Sequence, residues 1–79
     1  MKQVLTDIAK AIVAAPESVV VTEREEGDNV FLELMVAADD MGKVIGKRGK
    51  IANAIRTVVK ATATKDNKRV IVNIVSDAE

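Results

Sequence analysis

The residues most able to do chemistry sit in one run, Val44-Ile45-Gly46-Lys47-Arg48-Gly49-Lys50, where two glycines flank two cations. A glycine has no Cβ, so a phosphate backbone can come close to the main chain there. Amides that open a helix lack intrahelical partners and, with the helix dipole, suit anions. Lys47 and Arg48 add charge at the tip. Such a loop can clamp a sugar-phosphate chain without reading its sequence. A glycine-punctuated turn with solvated cations would explain the glycines, but not why the cations lie between them or why an aliphatic pair precedes them. The run is not a P-loop, because G-x-x-x-x-G-K-[ST] is absent.

Little else in the chain offers chemistry. It contains no Cys and no His, which removes thiolate chemistry, the usual zinc sites and Ser-His-Asp or Cys-His arrangements. Asp39-Asp40 reads as a helix cap rather than a metal or acid–base pair. Glu23, Glu25 and Glu26 read as solvated strand and turn positions. We therefore expect no catalysis, no cofactor, no metal and no small-molecule substrate.

The net charge is zero, but it is unevenly distributed. Residues 1–42 carry three basic and nine acidic groups, net −6, whereas residues 43–69 carry nine basic groups and one acid, net +8. A neutral total argues weakly against a nucleic-acid partner, and a concentrated basic segment argues for one. A merely solvated lysine-rich helix accounts for the charge equally well. No apolar run approaches the roughly 20 residues that span a bilayer. The opening Met1-Lys2-Gln3-Val4-Leu5-Thr6-Asp7 is too polar for a signal peptide, so the expected location is cytoplasmic.

The elements that must position the loop follow from periodicity. At 79 residues the chain is expected to form one domain over 1–79, with a core of Val, Ile, Leu, Ala and Met, since Phe31 is its only aromatic. Val4, Leu5, Ile8, Ala9, Ile12 and Val13 recur at helical spacing until Pro16 stops the helix. Val19 to Arg24 reads as a strand. Glu26-Gly27-Asp28-Asn29 turns into a second strand, whose Val30, Leu32, Leu34 and Val36 share one face. A short helix runs from Asp39-Asp40 to about Ile45, and after the glycines a longer one runs from about Lys50 to Ala63. Its core side is read as Ile51, Ile55, Val58, Val59 and Thr62, with Asn53, Arg56 and Lys60 on a polar stripe. Asp66-Asn67 makes a turn, and Arg69 to Val75 alternates as the last strand. The order α-β-β-α-α-β predicts an α+β fold, with a three-stranded mixed sheet and three helices on one face. Phe31, Met35, Ile71 and Val75 would share the other, moderately apolar face.

Val44-Ile45-Gly46-Lys47-Arg48-Gly49 resembles the V-I-G-x-x-G signature of KH domains, and the element order resembles their type II topology across essentially the whole chain. Asp40-Met41-Gly42-Lys43 and Ile51 to Ala61 resemble a closer group, the small stand-alone bacterial KH proteins called KhpA. The resemblance implies a single KH domain that binds single-stranded RNA, with Gly46, Lys47, Arg48 and Gly49 gripping the backbone of about four nucleotides. It places the bases in an aliphatic groove between the GxxG helices and the second strand. Ile45 would line that groove, with Val36 a candidate strand contribution, and Lys43, Lys50 and Arg56 would contact phosphate or sugar. It also implies a homodimer, or pairing with a larger KH-containing RNA-binding protein, and a role as RNA chaperone or post-transcriptional regulator. The alternative is mainly a protein-interaction module. Ile51-Ala52 departs from the pattern, because many nucleic-acid-binding KH domains carry a larger aliphatic residue where Ala52 stands. Ile51 then either belongs to the core or faces outward beside the clamp as a candidate protein interface.

Overall fold

The computed structural model describes residues 2–64 and 67–77. Its elements are α1 (Lys2–Ile12), β1 (Val20–Glu26), β2 (Asn29–Val36), α2 (Met41–Ile45), α3 (Lys50–Thr64) and β3 (Arg69–Ser76), with 3-10 turns at Pro16–Ser18, Ala38–Asp40 and Lys47–Gly49. The sheet order is β1-β2-β3. β1 pairs antiparallel with β2, and β2 pairs parallel with β3. The α+β architecture expected from the pattern, with a mixed sheet and helices on one face, is the observed one. No described helix is long and apolar enough to cross a membrane.

Strand alternation decides the core. Val30, Leu32, Leu34 and Val36 of β2 and Val70 and Val72 of β3 are buried beneath the helices. They meet Leu5 and Ala9 of α1, Val44 of α2, and Ile55, Val59 and Ala63 of α3. On the opposite face Phe31, Met35, Ile71 and Val75 are half-buried with no helix over them, and the Arg24 guanidinium stands 4.9 Å from the centre of the Phe31 ring.

Three readings are corrected. Val36 is fully buried, so it cannot line a groove; it shares the inward register of Val30, Leu32 and Leu34. The core side of α3 is Ala52, Ile55, Val59 and Ala63, one step round the helix from the expected stripe, while Ile51 and Val58 are 39% and 48% exposed. Asp40 stands at the N-cap position of α2, but its side chain makes no cap hydrogen bond. Its carboxylate is buried and instead accepts the amides of Ala14 and Ala15, each at 3.0 Å.

That long-range contact explains where α1 ends. The Val13 amide still reaches the Ala9 carbonyl. The next two amides turn to Asp40 instead of continuing the helix, so α1 stops before Pro16 can act. These amides, with Lys43 beside them, hold the Asp40 carboxyl below its ordinary value of 3.8, against the opposing effect of burial. Of the predicted Asp66-Asn67 turn, Asp66 lies outside the described residues; Asn67 is in a turn, its amide donating to Thr64 at 3.2 Å.

Candidate nucleic-acid interface

The glycine-bounded loop is a left-handed corner between α2 and α3. Gly46 adopts φ 72, ψ −179, a region open essentially only to glycine. A Cβ placed there would stand 2.6 Å from Ile51 Cγ1, so the loop start and the first turn of α3 are in close contact. Gly49 also has positive φ, 74, but a Cβ would meet open space there. The two glycines thus do different work: Gly46 permits a close approach, and Gly49 only a backbone angle. Between them Arg48 takes φ 56, ψ 26, an unfavourable angle for a side chain with a Cβ.

The 3-10 turn uses some amides that were expected to be available to an anion. The Gly49 amide donates to Gly46 at 3.4 Å, and the Lys50 amide donates to Lys47. Cationic side chains therefore contribute more of the anion attraction than the expectation allowed. Lys47, Arg48 and Lys50 are all exposed around the corner. Lys43, one turn back on α2, stays half-exposed while its Nζ lies 3.5 Å from Asp40. The buried carboxylate that ends α1 thereby also steadies a cation next to the loop.

Ile45 is 37% exposed at the end of α2. Arg56 lies on the side of α3 that faces β3 and is half-buried. Its Nε donates to the Val72 carbonyl at 3.2 Å, so the guanidinium bridges the helix and the outer strand of the sheet. The structure therefore brings Lys43, Ile45, the loop and Lys50 together, and sets Arg56 apart, two turns further along α3.

The opposite side of α3 is apolar. Ile51, Ala54 and Val58 join Ile8 and Ile12 of α1 around a groove of about 380 Å³. Sequence reasoning placed Val58 in the core and, of this surface, named only Ile51, as one of two alternatives. The usable signal was the alanines: Ala52 and Ala63 are in phase with Ile55 and Val59, and small residues let a helix sit close to a sheet. The larger Ile51 and Val58 then fall outside the contact.

A β-hairpin, two helices joined by a glycine-bounded basic loop, and a returning parallel strand define a type II KH domain. The fold agrees with the crystal structure of Era in complex with MgGDPNP and nucleotides 1506–1542 of 16S ribosomal RNA. The TM-score is 0.67 at 15% identity, over 95% of this chain and 29% of that one. At that identity the likeness concerns the fold alone. The chain is 57% identical to the RNA-binding protein KhpA of Clostridium acetobutylicum, over 95% of its own length and 100% of the relative's. Identity is 55% to the KhpA of Clostridium perfringens, with the same coverage. Residues 2–74 match the family model for the KhpA/KhpB KH domain, and the chain belongs to that family.

Proposed function

We propose that this chain is a non-catalytic RNA-binding module. The loop Gly46-Lys47-Arg48-Gly49 grips the backbone of single-stranded RNA, and bases lie beside Ile45 along the seam between α3 and β3. Lys43, Lys50 and Arg56 supply further phosphate or sugar contacts. The observation that carries this reading is the corner itself: a glycine-only backbone at Gly46 and a strained Arg48 at the exposed tip. Strain of this kind persists where surrounding structure imposes it and gathers at functional sites. Family membership supports the same reading, since the relatives are named RNA-binding proteins. One such clamp gives modest, salt-sensitive affinity. Lys47→Asp with Arg48→Asp should abolish binding to short single strands while circular dichroism stays unchanged; survival of binding would refute the clamp.

A second reading concerns assembly, and the exposed apolar side of α3 favours it. Ile51, Ala54 and Val58 follow a three-then-four spacing with the smallest residue in the middle. This suits an antiparallel approach of two identical helices, crossing at Ala54. We take Ile51 as part of a contact with a second copy, or with a larger KH-containing partner. Two clamps held together would gain effective concentration on one RNA, consistent with a cytoplasmic RNA chaperone or post-transcriptional regulator. Sedimentation should give a concentration-dependent mass that Ile51→Arg removes without unfolding the chain; a strict monomer at high concentration, with no partner recovered, would rule assembly out.

A further inference from the structure

Far from the clamp, the seam between α3 and β3 opens into a cleft of about 950 Å³. The tip of the β1–β2 hairpin, the end of α3 and the start of β3 line it, through Asp28, Asn29, Lys60, Asn67 and Arg69 among others. Lys60 lies one helical turn beyond Arg56, on the same flank of α3 and about 15 Å along the axis from Lys50. Arg69 opens β3 opposite Asn29, with its amide donating to the Asp28 carbonyl at 2.8 Å. The loop, Arg56 and the cleft therefore follow one another along the length of α3.

The charges in the cleft are partly balanced within the protein. Glu26 is answered by Arg24 at 3.4 Å, and Lys68 is held by Glu25 at 2.7 Å. Among the described residues, Lys60 and Arg69 then share the lining with Asp28, a surplus of one positive charge. That suits one phosphate better than a polyanion held end to end. The side-chain amides of Asn29 and Asn67 offer both donors and acceptors, the equipment for a base edge or a ribose hydroxyl.

We propose that this cleft is a second nucleotide subsite. It takes one nucleotide of the same RNA strand beyond the clamp, with its phosphate on Lys60 and Arg69. The inference rests on the clamp reading, since a single surplus charge gains useful affinity only for a strand already tethered. It makes the binding footprint longer than the loop alone requires.

The test is a length series with the full chain, using oligouridylates of about four and about ten nucleotides. The longer strand should bind more tightly than its extra registers alone would give. Lys60→Gln with Arg69→Gln should remove that excess, roughly fivefold per cation at about 0.1 M salt, and leave the short strand unaffected. Asp28→Asn should strengthen binding of the long strand only. Lys2→Gln with Lys10→Gln, a charge-matched change on α1, should show no length dependence. Unchanged long-strand binding in the Lys60/Arg69 variant overturns the subsite, as does equal weakening of both strands. The clamp reading fails separately, if Lys47→Asp with Arg48→Asp spares both lengths.

Discussion

The two exposed flanks of α3 differ in what they ask of a partner. On one side Arg56 and Lys60 run along β3, and the seam mixes polar groups with Val70 and Ile71. On the other side Ile51, Ala54 and Val58 run beside α1, and the groove is nearly all aliphatic. A single helix serves both because its buried stripe contains Ala52 and Ala63. Small buried residues allow close packing on that side and leave two wide flanks in solvent. The glycine corner stands at the start of both, with Gly46 packed on Ile51 of the apolar one and Lys50 at the edge of the same groove.

That shared corner gives the comparison its sharpest test. Gly46→Ala should damage both flanks, because its Cβ would meet Ile51 Cγ1 at 2.6 Å in a glycine-only backbone region. We expect about 2 kcal/mol of stability lost, together with RNA binding. Adding Ile51→Ala removes the two closest contacts, leaving the residue's own Cβ at 3.0 Å, and does not touch the backbone strain, so the double-mutant cycle in urea should show a coupling of about 1 kcal/mol. Gly49→Ala, with open space around it, should cost about 1 kcal/mol and show no coupling to Ile51.

Asp40 supports the corner from behind. Asp40→Ala leaves two part-buried amides without their acceptor and should lower the melting temperature by several °C. Because the folded protein depresses the Asp40 pKa below 3.8, the unfolded chain binds more protons in that range. Its contribution to stability is complete above the unfolded value and drains away as pH falls through the folded one. Thermal melts of Asp40→Asn between neutral and acidic pH should therefore lose less stability on acidification than the parent.

Arg56→Gln isolates the polar flank. It removes a guanidinium bonded to the Val72 carbonyl and should cost about 1 kcal/mol of stability. It should also weaken RNA roughly fivefold at about 0.1 M salt, with the mass in solution unchanged. A loss of self-association in this variant would mean the flanks are not separate. The smallest change is Arg48→Gly, which relieves the φ of 56. It should raise stability by up to about 1 kcal/mol while weakening RNA, as measured by melts and titrations in parallel.

The order of elements, the inward faces of β2 and β3, and the position of the glycine-bounded loop were all legible from residues alone. Strand alternation has period two and offers only two faces, so Val30, Leu32 and Leu34 leave no ambiguity. The loop is equally local: glycines and cations within four residues mark one corner. Tertiary structure decided everything that depends on what packs where. Apolar residues spread widely around α3, and only tertiary packing selected Ala52, Ile55, Val59 and Ala63 for burial and left Ile51 and Val58 outside. Asp40 looked like the cap of its own helix, yet it binds Ala14 and Ala15, 26 and 25 residues earlier. A carboxylate takes whichever amides the fold brings to it, and no local pattern encodes a partner that distant.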